Sequence, residues 1–288
     1  MEAYLRFGIF LGVYLLAFWL EMLFPKRPPT QPRVRRWVMN FSLVGIDVLV
    51  QRFTLGAAAY LTAVYAQDHG WGLMGVLDLP FWAEALITFL ILDFAIYLQH
   101  VMSHALPIFW RLHSVHHADL DIDASSGLRF HPLEIILSLI YKAAIVAALG
   151  IDPWVVIAFE ATLNGAAVLT HANIRYPDRL DPQLRWLFVT PNMHRVHHST
   201  SRDEMDTNFG FFLSIWDRIC GTYHRAPPRA GHEKVALGLP YIRKQSRLGL
   251  WQLLIMPFRI TRQTASLSLS PDMVDGKVKN YANDEQVN

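Results

Sequence analysis

The chain is 288 residues long, carries a formal net charge of +2, and is 52% hydrophobic with only 17% charged residues, where soluble domains carry roughly 25%. That balance points to an integral membrane protein, and the lack of a basic stripe or a glycine-rich phosphate loop excludes nucleic acid as a partner. With one cysteine, Cys220, an internal disulfide, a thiolate zinc site and a cysteine-held iron–sulfur cluster are excluded, so any metal must be bound by nitrogen or oxygen.

A bilayer-spanning helix needs about 20 mainly apolar residues. Residues 3–24 qualify, with Arg6 and Glu21 near the two ends, where they can reach the interface. Pro25-Lys26-Arg27 follows in place of a small-residue cleavage site, so the segment reads as a retained anchor. The second apolar region, 38–66, carries Asp47 and Arg52 near its middle and reads as one tilted span or a broken one. Residues 81–98 form a clearer span. Residues 133–149 and 154–170 read as a slightly short helical hairpin, fully or partly inserted, that turns at Gly150-Ile151-Asp152-Pro153. Residues 248–258 are apolar but too short to span and read as an interfacial or core helix, and the polar stretch from 262 onward reads as a mobile tail. The expectation is an all-α membrane bundle of about four or five spans with a histidine-rich helical cap that holds a dinuclear metal site. Its parts are anchor spans over 1–80, a catalytic domain over 81–240, and an interfacial helix and tail over 241–288.

Lys26, Arg27, Arg33, Arg35 and Arg36 crowd the loop after the first span, whereas 67–80 and the hairpin turn carry no Lys or Arg. The positive-inside rule then puts 99–131 and everything after His171 in the cytoplasm, so of 13 histidines only His69 faces outward. A bacterial inner membrane or its equivalent is the expected location.

Three histidine groups stand out. "QHVMSH" holds His100 and His104, "LHSVHH" holds His113, His116 and His117, and "MHRVHH" holds His194, His197 and His198. Residues at i, i+3 and i+4 share a helical face, so two imidazoles of each HxxHH triplet can grip one ion while the remaining one reaches a neighbour. At about 0.045 histidines per position, chance supplies roughly 0.03 such triplets in this length, so two are rare. His69, His224 and His232 read as ordinary hydrogen-bonding residues. Clustered imidazoles without a metal would repel on protonation and cost desolvation on burial. Eight ligands exceed what one zinc-like ion takes, so the count fits two metals, and imidazole suits iron, zinc or copper alike.

His171 ends the last span and is expected as a further ligand, with a hydrogen-bonding role as the alternative. Glu160 and Asn164 fall roughly on its helical face. His131 precedes Pro132 and suits either a ligand or a helix cap. Asp93 lies on the stripe of His100 and His104 and is expected to accept a ring N–H from a ligand histidine or to bind Arg111; an interfacial carboxylate is the alternative. Asp93, Glu160 and Asn164 are the candidate catalytic residues.

"LDFAIYLQHVMSH", "LHSVHH", "FHPLE", "THAN", "MHRVHH" and "WDRICGTYH", in this order, resemble the fatty acid hydroxylase superfamily of sterol desaturases, sterol C4-methyl oxidases and alkylglycerol monooxygenases. The resemblance covers about residues 81–225. It implies an integral-membrane enzyme with two irons that uses O2 to hydroxylate or desaturate an unactivated C–H of a lipid. Its metal ligands would be the eight boxed histidines and His171, with His131 matching a further family histidine. Cys220 stands where the family usually has an aromatic residue. Electrons must come from an external reductase or ferredoxin-type partner, because the chain has no nucleotide fingerprint and no iron–sulfur cysteines. Arg195, Arg202 and Arg218 are placed to steer an acidic partner or to meet lipid head groups. A histidine-rich membrane metal transporter is the rival reading, although it would carry its ligands near mid-bilayer. A zinc hydrolase, which needs only three ligands, is the other.

Overall fold

The computed structural model describes residues 2–77 and 79–260, which form helices and loops with three isolated bridge pairs and no longer strand. In chain order the helices are α1 Glu2–Leu23, α2 Arg33–Phe53, α3 Ala58–Asp68, α4 Met74–Leu77, α5 Phe81–Ala105, α6 Pro107–His117, α7 Pro132–Leu149, α8 Pro153–His171, α9 Asp181–Leu184, α10 Pro191–His197, α11 Arg202–Met205, α12 Ile215–Ile219 and α13 Leu250–Arg259. Among the described residues, four stretches are long and apolar enough to cross a membrane: Arg33–Asp68, Phe81–Ala105, Pro132–Leu149 and Pro153–His171, with Phe7–Leu23 as a shorter apolar helix. The polar stretch from 262 lies outside the described residues.

The second apolar region is broken. Between α2 and α3 the chain passes through Gly56 at φ +51°, a left-handed conformation that glycine adopts without strain. The hairpin is built by its punctuation. Pro132 and Pro153 open α7 and α8 at first-turn positions, the Asp152 carboxylate accepts from Trp154 N–H at 2.7 Å, and Gly150 closes α7 at φ +67°. A Cβ on Gly72 would lie 2.1 Å from Gly150 N, so these two loops touch backbone to backbone.

Small residues bring α1 against α8: Ala17, Val168 and Ala172 are buried together, and Gly165 faces Val13. Ala59, Ala63, Leu92, Val156 and Phe159 fill the space between α3, α5 and α8. Trp19, Val48, Leu86, Ile140 and Trp154 face outward, as lipid-facing helix surfaces do. α13 lays Leu253 and Met256 on Leu43, Trp110 and Val115 and leaves Trp251 and Phe258 exposed, so it caps the bundle with one face and leaves the other outside.

At the histidine end the helices are tied by buried polar contacts. Arg36 of α2 grips Asp119 through Nε and Nη2, both at 2.7 Å, and reaches Asp123 and Ser126 Oγ with its remaining donors. Burial alone would raise the Asp119 carboxyl, but the charge and hydrogen bonds of Arg36 outweigh it and hold the group well below the carboxylate range. Asp121 accepts from Thr30 N–H, Thr30 Oγ–H and Gln31 N–H. Glu21, expected at the interface, is instead buried and accepts from Ala124 N–H at 2.7 Å and Asn173 N–H at 2.6 Å. All of this fixes the segment 118–131, which follows the HxxHH triplet of α6.

Two outcomes follow for the purified protein. Arg36→Met leaves Asp119 and Asp123 buried without their cation and should cost about 3–5 kcal/mol, read as a fall in the thermal midpoint; an unchanged midpoint would deny the pair its anchoring role. Gly127 sits where an added Cβ would meet Ala167 O at 2.3 Å and His171 Nδ1 at 3.2 Å. Gly127→Ala should therefore cost about 1–3 kcal/mol of overpacking, in the same measurement.

Candidate metal centre

The nine histidines of the boxes and of the α8 end converge from α5, α6, α8 and α10 into two groups. His100, His104, His113, His117 and His197 form one, and His116, His171, His194 and His198 the other; within each, the ligand nitrogens lie within 4.8 Å of one another. The two HxxHH triplets divide in opposite senses. His113 and His117, one turn apart, join the first group while His116 turns to the second; His194 and His198 join the second while His197 turns to the first. Two helical triplets, docked face to face, thus share themselves between two centres.

Hydrogen bonds decide which ring nitrogen faces inward. A carbonyl oxygen can only accept, so His100 Nδ1 donates to Phe209 O at 2.7 Å, His197 Nδ1 to Thr207 O at 2.9 Å, His116 Nδ1 to Arg129 O at 3.1 Å and His171 Nδ1 to Ala167 O at 2.7 Å. His113 Nδ1 meets Glu134 Oε1 at 2.6 Å, and His104 Nδ1 meets Asp206 Oδ1 at 3.2 Å. With the ring hydrogen spent at Nδ1, each Nε2 presents a bare lone pair. Yet His171 Nε2 lies 3.0 Å from His116 Nε2, and His100 Nε2 lies 3.1 Å from His113 Nε2. Lone pairs facing at that range repel unless a cation lies between them. Nitrogens held about 2.1 Å from one ion and 90° apart would be separated by about 3.0 Å. The residues present therefore fit a metal in each group.

The protonation states agree. Burial first, and then the neighbouring imidazoles, push His116, His117, His194 and His198 well below the usual histidine range, and His197 down to about 3. Neutral imidazole is the form that binds metal.

Four expected residues stand elsewhere. His131 joins neither group: its Nδ1 accepts from Leu133 N–H as the cap of α7, and its Nε2 donates to Leu254 O at 3.1 Å, so both nitrogens are taken. Asp93 meets no histidine and no Arg111; its Oδ2 accepts from Leu213 N–H at 3.2 Å and Trp216 Nε1–H at 2.8 Å, which ties "WDRICGTYH" to α5. Glu160 pairs with Lys142 at 2.9 Å, and with Asn164 it lines a cavity of about 640 Å³ that also reaches His100, His113 and Glu134. Of the arginines, Arg195 is fully buried and bonded to Asn192 and presents nothing to a partner, whereas Arg218 is exposed and stacks on Tyr223.

The carboxylates that do contact the histidines were not singled out for that purpose. Glu134 ends "FHPLE" as the third residue of α7, and Asp206 lies just after α11; they stand 21 and 102 residues from their histidines, and only the fold pairs them. A signal was present in "HADLDIDASS", three carboxylates at alternate positions beside a metal box, but it marks the scaffold and not the ligand set.

A family model described as Fatty acid hydroxylase matches residues 85–222. Ornithine lipid hydroxylase OlsE of Rhizobium tropici is 29% identical over 158 residues, which cover 55% of this chain and 46% of that protein. The alkylglycerol monooxygenase of Homo sapiens is 35% identical over 162 residues, 54% of this chain and 32% of that protein. The cholesterol 25-hydroxylase of Rattus norvegicus is 26% identical over 149 residues, 50% of this chain and 48% of that protein. The chain thus spans about half or less of the length of these relatives. No solved structure gives a significant match. The resemblance read from the histidine boxes is shown by the family match over 85–222, the segment that holds all nine clustered histidines: there the chain is similar to the fatty acid hydroxylases.

Proposed function

We propose that the chain is an O2-dependent, di-iron membrane oxidase that hydroxylates or desaturates an unactivated C–H of a lipid. The observation that carries this reading is the pair of buried histidine groups, one of which opens through His100 and His113 onto a cavity that reaches up among the candidate spans. The family match and the lipid hydroxylases and monooxygenases among the relatives support it.

The five-histidine group would hold one iron and the four-histidine group the other. Bound there, the iron pair would supply the reduction of O2 and the abstraction of hydrogen from the lipid. Hydroxylation consumes O2, two electrons and two protons, gives the alcohol and releases water; desaturation consumes the same and releases two waters. The chain's own residues do the positioning. Glu134 and Asp206 orient His113 and His104 and enrich them as donors. Phe209, packed against His100, His104 and His197, shields the first group from water. The apolar cavity holds the lipid chain against that group. The electrons would come from an external reductase or ferredoxin-type donor. Basic residues after the first span favour an orientation with the histidines at the cytoplasmic face, in a bacterial inner membrane or its equivalent.

Metal analysis of natively purified protein should find about two irons per chain. His104→Ala should lose about one ion and His198→Ala the other, each sparing its counterpart; a native content well below two would overturn the dinuclear reading. Cells that express the protein should accumulate a lipid heavier by one oxygen or lighter by two hydrogens. Cells that express the His197→Ala, His198→Ala double variant should not, and identical lipid extracts from both would sink the assignment.

A further inference from the structure

Asp47 takes no part in holding the histidines. Nevertheless α2 carries it, buried, into the wall of the same cavity, where its Oδ1 has no hydrogen-bond partner. A buried carboxyl oxygen without a partner is costly, and an ionisable group within a span marks function by default. Around it the wall is mixed. Phe7, Ile96, Leu139 and Phe211 supply apolar surface, while Arg52 of α2, Lys142 of α7 and Glu160 of α8, the last two paired at 2.9 Å, and Asn164 supply polar groups. Lys142 lies eight residues along α7 from Glu134, the residue bonded to His113, which is about 12 Å of helix rise. One end of the cavity therefore meets the histidines, and its polar wall extends well away from them.

A saturated hydrocarbon would leave Asp47 unsatisfied. A phosphate or carboxylate head group would face Asp47 and Glu160, and an ammonium would face Lys142 and Arg52. An uncharged group that both donates and accepts fits all of them.

We propose that the cavity selects a lipid alcohol whose hydroxyl donates to Asp47, with the Lys142–Glu160 pair and Asn164 as its other polar neighbours, while a carbon of its apolar remainder lies against His100 and His113. This rests on the reading that the cavity takes a lipid for oxidation. It makes Asp47 a specificity-determining residue and gives no chemical step to it.

The test compares two probes that differ only by the hydroxyl, radiolabelled 1-hexadecanol and hexadecane, bound at equilibrium to the full-length protein in phosphatidylcholine nanodiscs and corrected for empty discs. No reductant is added, so nothing turns over. The native protein should hold the alcohol up to about tenfold more tightly than the alkane, the gain expected of one buried hydrogen bond. Asp47→Leu should bring the two within about twofold without lowering the thermal midpoint, because it replaces an unsatisfied carboxyl with an apolar side chain. Equal binding of both probes by the native protein would overturn the proposal whatever the variant does. So would a tenfold preference that survives in Asp47→Leu, or a lowered midpoint, which would make Asp47 a structural residue. Discrimination without any oxidised lipid in cells would fail the enzymatic reading alone; oxidation without discrimination would fail only this one.

Discussion

An imidazole that gives its Nδ1 hydrogen to a fixed oxygen is left with a bare Nε2 lone pair, and here nine rings gather with their nitrogens a few ångströms apart in two groups inside a dry interior. Protonation does not relieve the repulsion at His116, His117, His194 and His198, which burial and then the neighbouring rings hold well below their ordinary range. Only a cation can, and the cation must be met by nitrogens that stay where they are without it. The demand on the rest of the molecule is rigidity at the ends of four helices.

That rigidity comes from oxygens that are themselves held. Phe209 O and Thr207 O orient His100 and His197, and the loop that carries them is pinned by Asp217, which accepts from Phe209 N–H at 2.7 Å, Gly210 N–H at 2.9 Å and Thr222 Oγ–H at 2.7 Å. Arg129 O orients His116, and the segment that leads to it is pinned by Arg36 on Asp119 and Asp123. Arg129 adds its own tie, donating through Nε to Val115 O at 2.8 Å and through Nη1 to Asn40 at 2.9 Å. Six of the nine, His100, His104, His113, His116, His171 and His197, thus stand on a carbonyl or carboxylate, and several of those stand on a buried carboxylate or guanidinium one step further out. Water cannot reach these groups, so a missing partner would have no substitute.

Much of this architecture was legible in the chain. Helical spans announce themselves by local composition. The HxxHH spacing fixes which imidazoles share a face, so the ligand candidates could be named without knowing the fold. Proline and glycine at 132, 150 and 153 placed the hairpin turn because their backbone preferences are local too. What could not be read was pairing across distance. Asp93 has the helical register of His100 but bonds Trp216, and Asp206 shares no register with His104 but meets it. A carboxylate's position on a helix says which way it points and not what arrives there from 100 residues away. Arg195, flanked by box histidines, is buried for the same reason: the triplet that carries it turns inward as a whole.

The two groups are not equivalent, and the difference bears on the chemistry. Neutral nitrogen ligands leave a metal pair strongly cationic, which opposes oxidation. Carboxylates that accept from ligand imidazoles offset this, since a histidine so bonded is a better donor. Both such carboxylates, Glu134 and Asp206, serve the five-histidine group; in the four-histidine group His116 and His171 donate to backbone carbonyls. The histidines that line the cavity, His100 and His113, also belong to the five-histidine group. On the proposed reading, the added negative charge would lie beside the metal position that borders the lipid, where removal of hydrogen from carbon would need a higher oxidation state, and the other position would be left to the plainer set. A symmetric sequence motif, HxxHH twice, is made asymmetric by two residues outside it, Glu134 in the first turn of α7 and Asp206 at the end of α11.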